Sequence, residues 1–249
     1  MNKPNESGIA FIAYSGRGLV RAHNEDCVSV DGEPLECERI QQRRLTEAED
    51  HLIVVADGMG GHVRGELASQ VTVQVIGNLW RSRRPHFEPI EATRAANRAI
   101  YDAMGNNPTL RGMGATVVGA HINSTRVTWF NLGDSRGYVF RGNGLTQFTT
   151  DHVPRGVTGT SRSRSHSITQ SVGGGYNLID VWPAAGVLDA RRGDLFLFCT
   201  DGLTDAVPDE MINQLLACSK SLLDAAKALV RATEENGAPD NISLVLLQT

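Results

Sequence analysis

Residues 52–62 read Leu52-Ile53-Val54-Val55-Ala56-Asp57-Gly58-Met59-Gly60-Gly61-His62: an unbroken apolar run, then an acid, then a glycine-rich stretch. A continuous apolar run bounded by turn residues predicts a strand with both faces buried. The pattern recurs at residues 195–202, Leu195-Phe196-Leu197-Phe198-Cys199-Thr200-Asp201-Gly202. Two central strands thus each deliver an Asp-Gly to their end. A single Asp-Gly is accounted for by a tight turn, because both residues suit that backbone.

Working outward, strands are expected at Ile9–Tyr14, Ala115–Ile122, Val127–Leu132 and Ile242–Leu247, with another short run at Cys27–Val30. These runs are rich in Val, Ile, Leu, Phe and Thr, and Gly, Asp or Asn often marks their ends. Residues 125–148 are expected to form an antiparallel meander, with Asn143-Gly144 as its turn signal. Leu67, Val71, Val75 and Leu79 recur at helical spacing after Gly65, and Glu91–Met104 predicts a second helix. Near the C-terminus Ser221 is placed to cap a helix carrying Leu222, Ala226, Leu229, Val230 and Thr233 on its buried side, with Gly237 to stop it. Strands in blocks separated by helix pairs indicate an α+β layered domain rather than alternating βαβ units. No linker or repeat divides the chain, so one domain over residues 1–249 is expected.

Composition narrows the functional classes. The 249 residues are 41% hydrophobic and 21% charged, enough apolar content for a sizeable core and too much for disorder. A formal charge of −4 recommends neither nucleic acid nor an anionic membrane as partner. No stretch has the apolar length of a membrane span, and the N-terminus lacks a secretory pattern. The cysteines, Cys27, Cys37, Cys199 and Cys218, show no Cys-x-x-Cys spacing, and Cys199 reads as a buried free thiol. The expectation is a soluble, cytoplasmic, monomeric protein.

Four acids share one kind of position. Asp57 and Asp201 follow buried strands, Asp134 follows Trp129-Phe130-Asn131-Leu132-Gly133, and Asp240 precedes the last strand. Carboxylates gathered at a common rim repel one another unless a cation intervenes. Oxygen ligands favour Mg²⁺ or Mn²⁺ over Zn²⁺. A further cluster, Arg21-Ala22-His23-Asn24-Glu25-Asp26, precedes the run at Cys27. Its acids suit caps or salt bridges and its arginine a solvated surface. Beside a metal site, the acids could instead hold metal-bound water and the guanidinium could grip a phosphate.

The ordered motifs are Arg21 to Asp26, Val55-Ala56-Asp57-Gly58-Met59-Gly60-Gly61-His62, Met113-Gly114-Ala115-Thr116, Leu132-Gly133-Asp134-Ser135-Arg136, Thr200-Asp201-Gly202-Leu203 and Asp240-Asn241. Together they resemble the phosphatase 2C-like (PPM) family, its bacterial branch above all, from about Ile9 to Leu247. Each motif is weak alone, but their shared order is specific. The resemblance implies a central β-sandwich of two antiparallel sheets flanked by pairs of helices. It implies a serine/threonine protein phosphatase using two or three Mg or Mn ions, in which a water bridging two metals attacks phosphorus directly. On that reading Asp57, Asp201 and Asp240, with the carbonyl of Gly58, hold the paired metals. Glu25 and Asp26 act through metal-bound water, Asp134 belongs to a third metal, and Arg21 binds the substrate phosphate. The partners implied are Ser/Thr-phosphorylated proteins, including a cognate kinase or its substrates.

Three features depart from the family pattern. Gly16 stands where many relatives have Asp. His62 follows Gly-Gly, whereas eukaryotic relatives place a histidine at the position of Met59. His62 is therefore both a candidate proton donor and a plain exposed loop histidine. The flap, residues 151–167, is short and basic, and it is expected to be a mobile surface loop whose Arg162 and Arg164 dock phosphorylated polypeptide. Two other readings keep the fold: a catalytically silent phosphoprotein-binding relative, and a phosphohydrolase of small phosphoesters. Intact acids at every ligand position argue against the silent one.

Overall fold

The computed structural model describes residues 8–46, 49–61, 63–84, 86–123, 125–154 and 167–249. Strands β1 (Gly8–Gly16), β2 (Cys27–Val30), β3 (Glu33–Pro34), β4 (Gln41–Thr46) and β5 (His51–Met59) come first. Helices α1 (Val63–Arg83) and α2 (Pro89–Asn106) follow. Then come β6 (Gly114–Ile122), β7 (Arg126–Leu132), β8 (Arg136–Arg141), β9 (Gly144–Gln147), β10 (Val172–Gly173), β11 (Ala184–Asp189) and β12 (Leu195–Cys199). Helices α3 (Asp201–Thr204), α4 (Asp209–Cys218) and α5 (Leu222–Glu235) precede the last strand, β13 (Ile242–Gln248).

One antiparallel sheet has the order β4-β1-β13-β12-β8-β9, and the other β11-β7-β6-β5-β2-β3, with β10 beside β6. The register explains why the central strands are apolar throughout. On β5, Leu52, Val54 and Ala56 pack under α1 and α2 with Ile76, Trp80 and Ile100. The alternate residues Ile53 and Val55 meet Phe11, Phe198 and Val245 between the sheets. A third layer, with Leu197, Leu244 and Leu246, lies under α4 and α5 against Ile212 and Leu229. Each fully buried side chain of this size contributes about 1.5–3 kcal/mol. The layers are therefore helix, sheet, sheet, helix: an α+β sandwich of two antiparallel sheets, as expected.

Ser221 Oγ accepts from the Asp224 amide at 3.1 Å and caps α5 as anticipated. Gly237, at φ +93°, ends the helix region. Three local readings need correction. The stripe Leu67, Val71, Val75, Leu79 is only half-buried, whereas Ala68, Val73, Ile76 and Trp80 are fully buried. All four flank that buried face and pack against its core. The β8–β9 turn is centred on Gly142 and Asn143, both at positive φ, because Arg141 pairs with Gly144. Asn143-Gly144 signalled the hairpin one residue late.

The third correction bears on the site. Residues 125–148 are no single meander: β7 pairs with β6 and β11 in one sheet, β8 with β12 and β9 in the other. The chain crosses from sheet to sheet at Gly133, φ +112°, whose missing Cβ would strike Thr116. Asp134 sits on that corner.

Candidate metal centre

The inter-sheet side-chain period of two continues past the apolar layer into a polar one. On β5, Ile53 and Val55 are followed by Asp57; on β2, Asp26 precedes Val28 and Val30. By the same count Ser15 follows Phe11 and Ala13, Thr200 follows Phe196 and Phe198, and Ser243 precedes Val245 and Leu247. Hydrogen bonds confirm the layer. Thr200 Oγ1 donates to Asp26 Oδ2 at 3.0 Å, and Ser243 Oγ donates to Ser15 Oγ at 2.8 Å. One end of the sandwich is thus polar between its sheets, and there the acids gather.

Asp26 is buried, and its Oδ1 has no hydrogen-bond donor. Burial pushes its carboxyl up to about 7, against the Ser243 and Thr200 hydroxyls that favour its charge; Asp240 adds to the rise. Asp57, half-buried, is held well above the usual carboxylate range by desolvation and by the charges of Asp26, Asp201 and Asp240. Asp201 is raised likewise by desolvation, Asp134, Asp205 and Asp240. Asp57 and Asp201 stand close enough for each to act on the other's carboxyl. Desolvation also raises Asp134, with Asp151 and Asp205 adding to it and Arg136 opposing.

Arg21 donates to Asp240 Oδ2 at 2.6 Å, and the charges of Asp240, Glu25 and Asp57 help keep it protonated against desolvation. The expected phosphate ligand therefore stands among the expected metal ligands. The carbonyl of Gly58 and the carboxylate of Glu25 both lie against Gly65 at the start of α1, where a Cβ would strike them. The acids are gathered without converging: among the described residues no three His, Cys, Asp or Glu side chains form an ion-holding group. In this structure Arg21 sets a cation against Asp240.

The donor chemistry nonetheless fits a hard divalent cation. All the groups are oxygens, the acids press one another toward protonation, and Asp26 Oδ1 is a buried acceptor without a donor. His62, Arg162 and Arg164, with the rest of residues 155–166, lie outside the described residues.

Four participants escaped the sequence reading. Asn241 Oδ1 accepts from the Glu25 amide at 2.9 Å, while its Nδ2 donates to the His23 and Arg17 carbonyls at 2.8 and 3.1 Å. It thereby ties the Arg21 loop to β13. Asp205 bonds back to the Asp201 carbonyl at 2.7 Å and brings a further charge beside Asp201 and Asp134. The i, i+4 spacing of two acids across a short helix was its only local signal. Asn131 Nδ2 donates to the Ser135 carbonyl at 2.9 Å and braces the Asp134 corner.

The fourth participant is Arg136, buried and bound to both oxygens of Asp151 at 2.6–3.0 Å. Asp151 was expected to belong to a mobile loop; here a bidentate ion pair holds it. His152 exchanges hydrogen bonds with Gly133, and its carbonyl accepts from the Thr169 amide at 2.7 Å. Both described ends of the flap are thus fastened at the Asp134 corner. Gly16, the family departure, lies under the Tyr14 ring, which fills the space a side chain there would need.

The family model described as Protein phosphatase 2C matches residues 41–246. A curated relative, the serine/threonine protein phosphatase PstP of Mycobacterium tuberculosis, is 33% identical over 96% of the chain. The chain spans 44% of that relative's length. The serine/threonine phosphatase stp of Listeria welshimeri is 29% identical, covering 93% of this chain and 92% of its own. The solved catalytic domain of PstP in complex with two manganese ions superposes with a TM-score of 0.75 at 31% identity, over 97% of this chain and 98% of that one. No described helix is long and apolar enough to cross a membrane.

Proposed function

The chain belongs to the protein phosphatase 2C family, and from that premise we propose that it is a metal-dependent phosphatase of phosphoserine and phosphothreonine in proteins. The observation that carries the reading is the gathering of Asp26, Asp57, Asp201 and Asp240 along one polar rim with Arg21 among them. Asp57, Asp201 and Asp240, with the Gly58 carbonyl, would hold two Mg or Mn ions. Asp134 would serve a third, and Glu25 and Asp26 would hold water beside them. When bound, such ions supply Lewis acidity and charge neutralisation for attack of water on a phosphomonoester.

The protein's own groups account for binding and orientation. Arg21 is half-exposed at the rim and offers a guanidinium to phosphate oxygens. Asn241 fixes the loop carrying Arg21 and Glu25, so the phosphate and metal groups move as one body. Thr200 orients Asp26 through a hydroxyl rather than a cation, which leaves its second oxygen without a donor. No cysteine stands in this layer, and buried Cys199 is pushed up by desolvation, so a thiolate nucleophile has no place here. The substrates would be phosphorylated proteins, a kinase or its targets among them.

The test is hydrolysis of a phosphoserine peptide by metal-stripped protein before and after Mn²⁺ is restored. Activity should be absent, then recovered. Full activity in the stripped protein sinks the metal reading, and none in the restored protein sinks the enzyme.

A further inference from the structure

Residues 172–182 leave the core, make an outward arc and return. Val172 and Val181 anchor the arc in the helix-side core. Between and beside them stand four large exposed side chains: Tyr176 at 81%, Leu178 at 57%, Ile179 at 59% and Trp182 at 64%. Scattered exposed apolar residues are ordinary; four within seven positions are a patch.

The arc is held by its backbone. Asn97 on α2 accepts from the Gly173 amide at 2.8 Å and donates to the Ile179 carbonyl at 2.8 Å. Arg94 Nε donates to the Val181 carbonyl at 3.4 Å, and the Trp182 amide donates to Gln170 Oε1 at 2.9 Å. With the backbone turned inward, the large side chains are presented outward in an ordered frame. Preorganised Tyr and Trp on a fixed backbone make the kind of anchor that dominates protein recognition.

Two observations say what covers the patch. The first is place: β10 pairs with the start of β6, and Gly174 packs against Gly114 beside Met59, two residues beyond Asp57 on β5. The arc therefore begins beside the strand end that carries Asp57. The second is charge. A cleft of about 340 Å³ beside Trp182 is lined by Glu91, Asp180, Arg94 and Arg98, two acids and two bases. Its balance selects neither an anion nor a cation, so the occupant must be recognised by its apolar surface.

We propose that this arc docks the polypeptide flanking the phosphorylated residue of a protein substrate, taking apolar or aromatic side chains a few positions from it. The inference rests on the phosphatase reading and adds a sequence preference to it. The binding is insensitive to salt, because no net charge is matched.

The experiment compares wild type with Tyr176→Ser/Trp182→Ser and, separately, Leu178→Ser/Ile179→Ser, all in Mn²⁺. Three substrates are used: para-nitrophenyl phosphate, a phosphoserine peptide with Leu and Phe on both sides, and the same peptide with Gly and Ser in their place. Wild type should prefer the apolar peptide. Each double variant should raise KM for that peptide about tenfold, the scale of a lost anchor pair. KM for the other two substrates should not move. Equal losses on all three substrates, or no loss on any, overturn the docking surface. So does a change in sedimentation of the variants, which would make the patch a contact between copies. Wild type that cleaves both peptides alike overturns the docking surface while leaving the phosphatase standing. Cleavage of the small ester alone overturns the phosphatase reading and the docking surface with it.

Discussion

Strand β5 has a titratable group near each end, and the two ends are settled differently. At its start His51 Nδ1 lies 2.9 Å from Asp31 Oδ2, and Nε2 lies 2.9 Å from the Thr46 carbonyl. Both ring nitrogens face acceptors, an arrangement that favours the doubly protonated imidazole. Burial works to lower its pKa, but the Asp31 and Thr46 hydrogen bonds prevail and raise it. The charge is answered inside the protein. Toward the other end, Asp57 faces Asp26, Asp201 and Asp240, charges of its own sign. Buried charge persists only when paired. One end is therefore finished by folding, and the other calls for a cation from outside.

The largest effect should come from breaking the unfinished end. Asp57→Ala should lower phosphopeptide turnover by about 10²–10³-fold, the scale of losing one preorganised electrostatic stabiliser. Circular dichroism should show an intact fold, and steady-state kinetics in excess Mn²⁺ would measure the loss. A variant retaining more than half the activity would break the contrast.

The finished end should fail in stability instead. His51→Ala should cost about 3 kcal/mol in urea unfolding, the low side of the range for a broken buried pair because Asp31 keeps some water contact. Turnover per folded molecule should not change. The pH dependence has a definite sign. A folded-state pKa above the unfolded value, about 6.5 for histidine, makes the contribution complete below that pH. It is then lost as pH rises through the folded value. His51→Gln should flatten the wild-type decline on that alkaline side.

Arg21 sharpens the comparison because, among the described residues, it is the one cation bound to Asp240 at the open end. Arg21→Ala should weaken inhibition by inorganic phosphate by about 1.5–3 kcal/mol, with little change in stability, since this pair is solvent-exposed. Unchanged phosphate inhibition would return Arg21 to the surface. The smallest effect concerns the acids without metal. In EDTA, Asp201→Asn should raise the unfolding free energy by about 1 kcal/mol, relieving like-charge repulsion and desolvation. A melting temperature lowered in EDTA would show that the acids are already balanced by the fold.

Legibility followed chain distance. Leu52–Ala56, Leu195–Cys199 and the α5 cap could be read locally, because burial on both faces and capping leave marks within a few residues. The acids could be read as strand-end residues for the same reason, and the motif order then supplied roles. Asp205, Asn131 and the Arg136–Asp151 pair were not read, although each is near the site. Polar side chains that brace a corner carry no periodicity of their own.

The sequence alone determined the central strands and the long helices, though not the edge strands β4 and β11, and that acids stand where strands end, because side-chain period, turn chemistry and capping are properties of neighbouring residues. The tertiary structure decided which ends meet. Thr200 reaches Asp26 across 174 residues and Arg21 reaches Asp240 across 219. The crossover at Gly133 put β7 and β8 in different sheets, although they read as neighbours in one. Sheet pairing is settled by the burial of whole faces against one another. That is a sum over distant strands, and no window of residues contains it.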